Sequence, residues 1–115
     1  MQEWALLPLV SAKGDLSMLR HVAMFRFRQD TTDEQKHAAR DRLQSLLGVV
    51  PTLRAMTVGL DIRRNPNNWD MVLVADFDYK AGLEAYFAFP IMKAASDFVA
   101  SVTQKEITAR VQFLY

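Results

Sequence analysis

The sequence predicts an α+β domain whose elements run β-α-β-β-α-β. Three patterns predict it. Stretches near both ends alternate apolar and polar residues with a period of two, as strands do. Two longer stretches repeat apolar residues at helical spacing. A central run, Met71-Val72-Leu73-Val74-Ala75, is apolar on both faces, as expected of a strand covered on both sides. The chain has 115 residues, which suits one domain.

The first strand is expected from Leu19 to Arg28, with Leu19, His21, Ala23, Phe25 and Phe27 on one face and Val22 and Met24 on the other. Thr31 precedes Glu34 by three residues, the spacing of a capping box, in which each side chain satisfies a free N–H of the first helical turn. Ala39, Leu43, Leu46, Leu47 and Val50 then form a helical stripe that should stop near Gly48, with Pro51 beyond it. Leu53 to Ile62 reads as the second strand, and Arg63-Arg64-Asn65-Pro66-Asn67-Asn68 as the turn before the third. Asp78 is a candidate cap for a second helical region carrying Leu83, Tyr86 and Phe87. Pro90 should kink or split that region before its stripe resumes at Met92, Ala95, Phe98, Val99 and Val102. Alternation from Ile107 to Tyr115 supplies the closing strand.

This order gives a four-stranded antiparallel sheet with the helices on one face, the ferredoxin-like arrangement. The other face, carrying Val22, Met24, Val72 and Val74, would then be an apolar surface in need of cover. A second copy packed face to face covers it, so a homodimer is expected.

Composition narrows the function classes. Fourteen basic and thirteen acidic residues leave a net charge of +1, which gives no electrostatic footprint for nucleic acid or an anionic membrane. There is no cysteine, hence no disulfide, thiolate metal site or cysteine nucleophile. With His21 and His37 as the only histidines, neither a metal nor another cofactor is expected, and the chain suits a reducing, cytoplasmic setting. Residues 1–17 read as an extension, with 18–115 as the domain. The run Trp4-Ala5-Leu6-Leu7-Pro8-Leu9-Val10 is too short to span a bilayer and is interrupted by Pro8. Its Trp and Leu side chains are expected to pack on the body or on a partner, with a start at Met18 as the competing explanation.

Met18-Leu19-Arg20-His21-Val22-Ala23-Met24-Phe25-Arg26-Phe27 resembles the opening strand of the stress-responsive α/β-barrel (Dabb) family. Pro51 followed by Val58-Gly59-Leu60-Asp61, Trp69-Asp70 through Phe77, and Leu83-Glu84-Ala85-Tyr86 extend the resemblance to about Phe113. It implies a dimeric barrel built from two ferredoxin-like sheets, with a small cavity between sheet and helices in some members. In a polyketide cyclase of the family, His21 would match a pocket-lining histidine and Tyr86 a tyrosine that assists catalysis. That cyclase takes its acid/base from the second histidine of His-Pro-x-His, where this sequence has Phe89-Pro90-Ile91-Met92. Met92 cannot exchange a proton, and a tyrosine with a pKa near 10 is a weak substitute for imidazole.

Two roles therefore stand for His21 and Tyr86. They are catalytic if the chain is an enzyme; otherwise His21 is a half-buried histidine held by a backbone or Tyr86 oxygen, and Tyr86 a core residue with a wet tip. An apolar pocket lined by Ala23, Phe25, Leu43, Leu73, Ala75, Tyr86, Phe89 and Met92 would suit a small aromatic or acyl molecule. Phe87, Phe89, Met92 and Phe98 equally suit plain core. His37 and Arg63-Arg64 read as solvated, and Asp76 with Asp78 lack a third metal ligand. The leading expectation is a non-catalytic homodimer with at most a small apolar ligand pocket. The alternatives are a cyclase-like or cofactor-independent oxygenase-like enzyme using His21 and Tyr86, and an assembly protein that docks through its N-terminal extension.

Overall fold

Alternation in the first strand becomes a two-sided burial pattern. In the computed structural model, which describes residues 17–115, β1 spans Leu19–Phe25. It buries Leu19, His21 and Ala23, while Val22 and Met24 on its other face stay half-exposed. There follow α1 (Asp33–Gln44), β2 (Ala55–Leu60), β3 (Met71–Phe77), α2 (Lys80–Ala88), α3 (Pro90–Val102), a single 3-10 turn at Lys105–Ile107 and β4 (Ala109–Leu114). The Trp4–Val10 run, and with it the expectation that an extension docks on the body or a partner, lies outside the described residues.

The strands form one antiparallel sheet in the order β2-β3-β1-β4, as a ferredoxin-like fold requires. Register fixes which residues meet. On the helix side, Val58, Leu73, Ala23 and Arg110 share one row, and Met56, Ala75, His21 and Gln112 the next. On the open side the corresponding row is Thr57, Val74, Val22 and Val111.

The core lies between sheet and helices. Ala39, Leu43, Leu46 and Val50 meet Val58, Met71, Leu73 and Phe77 there, all buried. Fully burying one large aliphatic or aromatic side chain contributes about 1.5–3 kcal/mol, so this layer is the main stabilising term. Gln44 ties α1 to the edge strand β2: its Nε2 donates to the Met56 carbonyl at 2.8 Å, and its Oε1 accepts from the Val58 N–H at 2.9 Å. Edge-strand groups that would otherwise face solvent are thereby satisfied.

Several boundaries differ from the sequence expectation, each for a visible reason. The capping box is one residue later: Thr32 accepts from the Gln35 N–H at 3.1 Å, and Gln35 accepts from the Thr32 N–H at 2.9 Å. Thr31 is buried instead, its hydroxyl donating to the Val102 carbonyl at 2.8 Å. Helix α1 ends at Gln44, and the chain reaches Val50 through turns that include Gly48 at φ 91°, a left-handed geometry suited to glycine. Strand β2 is shorter than the apolar run, leaving Ile62 exposed. Asp78 does not cap α2: Tyr79 occupies that position without a side-chain cap, and Asp78 pairs with Arg54 at 2.7 Å. Pro90 splits the second helical region outright. Phe89, extended at ψ 128°, closes α2 and opens α3, with Pro90 as the first residue of α3.

Candidate functional site

Strand β1 presents His21 to the helix layer because alternate residues face the same side. Helix α2 carries Tyr86 onto the same layer, and α3 adds Met92 and Val99. Between them lies a cavity of about 270 Å³. Its buried floor is made by His21, Ala23, Leu43, Leu73, Tyr86, Met92 and Val99, with half-buried Phe25 beside them. Its exposed mouth carries Phe87 from α2, Lys93, Ser96 and Asp97 from α3, and Arg110 from β4.

Of the residues expected in a pocket, Ala23, Phe25, Leu43, Leu73, Tyr86 and Met92 line this cavity, together with His21. Ala75 and Phe89 do not: Ala75 is wholly covered in the row of His21, and Phe89 is half-buried at the junction of α2 and α3. The expectation of an apolar pocket describes only the floor, because the mouth is charged. Lys93, Ser96 and Asp97 had a legible signal, lying at i, i+3 and i+4 beside the apolar stripe of α3. Arg110 and Gln112 had none in local sequence, since the pairing of β4 with β1 places them.

His21 is held by neither a backbone oxygen nor Tyr86. Its Nδ1 lies 2.8 Å from Gln112 Nε2, and its ring meets Phe87 edge-on at 5.3 Å. With the amide donating, Nδ1 accepts and the ring hydrogen sits on Nε2. Burial, and secondarily the Arg110 charge, pushes the imidazole pKa below its ordinary 6.5, so His21 is neutral at neutral pH.

Tyr86 is fully buried, its ring against Phe77 at 5.2 Å and Phe87 at 5.4 Å. Among the described residues its hydroxyl has no hydrogen-bond partner, alone among buried side-chain polar atoms. Burial pushes the phenol up to about 12, so it stays protonated and able to donate.

Other polar candidates are accounted for structurally. His37 is exposed on α1 with Nδ1 2.8 Å from the Asp33 carbonyl. Arg63 and Arg64 are exposed in the turn before β3, Arg64 at φ 57°. On the open side of the sheet, Arg20 grips Asp76 through Nε at 2.8 Å and Nη2 at 2.9 Å, while the Tyr115 hydroxyl donates to Asp76 at 2.7 Å. Among the described residues no three acidic or histidine side chains are placed to hold a metal ion, and no helix is long and apolar enough to cross a membrane.

These features define a class: a ferredoxin-like α+β domain with one open sheet face and a small cavity under its helices. The chain belongs to the stress-responsive A/B barrel domain (Dabb) family, whose sequence profile it matches over residues 19–111. It is similar to a dimeric ferredoxin-like protein of unknown function from Thermobifida fusca, at 30% identity and TM-score 0.76 over 85% of this chain and 91% of that one. A dimeric protein of unknown function from Bacteroides fragilis is similar at 24% identity and TM-score 0.71, over 86% and 97%. The hydroxynitrile lyase of Passiflora edulis shares the fold at 13% identity and TM-score 0.75, over 86% and 94%. No curated protein matches the chain.

Proposed function

We propose that this chain is a homodimeric small-molecule-binding protein whose cavity between β1, β3, α2 and α3 takes a small aromatic or acyl ligand without converting it. The Tyr86 hydroxyl carries this reading. A buried hydroxyl normally finds a partner, and leaving one unsatisfied costs about 1–3 kcal/mol. Tyr86 lines the cavity, and on this reading a bound ligand supplies that partner by a small shift of the side chains around it. Room for roughly nine water-sized atoms, at about 30 Å³ each, sets the ligand's size. The absence of conversion is supported by His21, whose basic Nδ1 is occupied by Gln112, and by Met92, which exchanges no proton.

The dimer is assigned to the open sheet face with Val22, Met24, Val72 and Val74. Their half-exposure in the single chain and the dimeric state of similar proteins support it.

Native mass spectrometry of the purified protein, repeated under denaturing conditions, tests the binding reading. Titration with benzamide, a neutral aromatic of about nine heavy atoms, supplies a probe sized to the cavity. The expected result is a dimer that takes up benzamide, with Tyr86→Phe binding roughly tenfold more weakly for the loss of one hydrogen bond. Equal uptake by both proteins, or none by either, overturns the reading.

An enzyme using His21 and Tyr86 is the second reading, favoured by one observation: both groups line a single cavity. It requires a free basic ring nitrogen facing the substrate. Nitrogen-15 NMR decides this, because a ring hydrogen on Nδ1 would leave Nε2 free as a base, whereas one on Nε2 argues for binding alone.

A further inference from the structure

Polarity in the cavity runs in one direction. The floor is buried and apolar apart from His21 and Tyr86, and every ionised side chain in the lining sits at the mouth. Arg110 reaches the mouth from β4 because it pairs with Ala23 of the floor, and Lys93 reaches it from α3 on the opposite side. Both cations lack an ion-pair partner among the described residues, although Asp97 stands one helical turn from Lys93. Elsewhere Arg20, Arg28, Lys36, Arg40, Arg54 and Arg64 each lie within reach of a carboxylate. Arg26, Arg42, Arg63, Lys80 and Lys105 also stand outside these ion pairs, but Lys93 and Arg110 alone among the described cations share a cavity lining with Tyr86, whose buried hydroxyl is unpartnered.

We propose that the cavity selects a monoanionic amphiphile: a carboxylate carried on an aromatic ring or short acyl chain, the carboxylate at the mouth between Arg110 and Lys93. Its apolar body then lies over Ala23, Leu73 and Val99, within reach of Tyr86. This rests on the binding reading above and adds the charge of the ligand to it. Two cations and the Asp97 carboxylate leave one net positive charge at the mouth, which matches one anionic group and disfavours a second. An arginine fork suits a planar carboxylate, and half-solvated charge of this kind adds selectivity rather than the bulk of the affinity.

The test compares benzoate, its neutral isostere benzamide and dianionic phthalate by isothermal titration calorimetry at low salt. Wild-type protein is expected to bind benzoate roughly tenfold more tightly than benzamide, the margin of one charge-assisted over one neutral hydrogen bond, and phthalate no better than benzoate. That margin should shrink at high salt, where the screening length falls from about 10 Å to about 3 Å. Arg110→Gln and Lys93→Gln should each cut the ratio of benzoate to benzamide affinity by about threefold or more. Both positions are exposed, so the variants are expected to fold, and circular dichroism verifies it. Equal affinity for benzoate and benzamide overturns anion selection and leaves the binding reading standing. Failure of benzamide and benzoate alike removes the binding reading and this inference with it. A preference for benzoate that survives both substitutions places the anion elsewhere and overturns the assignment to the mouth.

Discussion

Two neighbouring residues of β1, Arg20 and His21, point to opposite sides of the sheet and meet opposite treatment. On the open side, Arg20, Asp76 and Tyr115 satisfy one another: a bidentate ion pair, a phenol donating to the carboxylate, and the guanidinium 4.5 Å from the Tyr115 ring centre. On the helix side, His21 has a single partner in Gln112 and Tyr86 has none among the described residues. A closed polar network rigidifies a surface, whereas an open one beside a cavity is suited to completion by something that arrives later. On the proposed reading the sheet divides labour between its faces, one for contact with a second copy and one for a small molecule.

The largest effect that could break this division comes from placing a charge on the open face. Val74→Asp puts an unpaired carboxylate in the row shared by Thr57, Val22 and Val111, and the dimer should dissociate with a loss of roughly a hundredfold or more in affinity. Light scattering after size exclusion reads this directly, and a dimer that persists would show that the open face is not the interface. Next in size is Asp76→Ala, which strips Arg20 and Tyr115 of their shared acceptor. A fall in melting temperature of roughly 5 °C is expected, with benzamide binding unchanged, because the triad lies on the far side of the sheet from the cavity.

Tyr86→Phe should behave in the opposite sense. Removing an unpartnered buried hydroxyl should raise the melting temperature by about 4 °C for each kcal/mol of relieved desolvation, while benzamide binding weakens. A marked drop in stability would mean that the hydroxyl is already satisfied. The smallest effect is in pH. His21 has its pKa lowered in the folded protein, chiefly by burial, so its contribution to stability is fully present above 6.5 and is lost as pH falls through the lower folded value. Asp76 is likewise lowered, chiefly by the Arg20 hydrogen bond, and its contribution is lost below the ordinary 3.8. Stability measured by denaturation across pH should therefore fall in two acid steps, and His21→Gln should abolish the first while keeping the second.

Local pattern decided much of the architecture and little of the site. The alternation through Leu19, His21, Ala23 and Phe25 is a property of the strand itself, so β1 and its inward face were legible. The first helix start was ambiguous by one residue because Thr31–Glu34 and Thr32–Gln35 fit the same capping spacing. A contact with Val102, distant in sequence, settles it by drawing Thr31 inward. Asp78 misled for the same reason, since Arg54 claims it across the fold. At the cavity, the apolar floor followed from helix and strand periodicity. Gln112 as the partner of His21, and Arg110 at the mouth, depend on β4 returning to β1 in one register, and a shift of a single residue would turn both away.

The break at Phe89 and Pro90 leaves the cavity's width loosely fixed. One cavity wall hangs from α2, which carries Tyr86 and Phe87, and the other from α3, which carries Met92, Lys93 and Val99. Pro90 has no N–H to donate, so no continuous ladder of helical bonds fixes the angle between the two segments. Small changes in side-chain bulk at this joint can widen or narrow the chamber while each helix keeps its own hydrogen bonds. The volume of the chamber is thereby adjustable without redesign of the sheet.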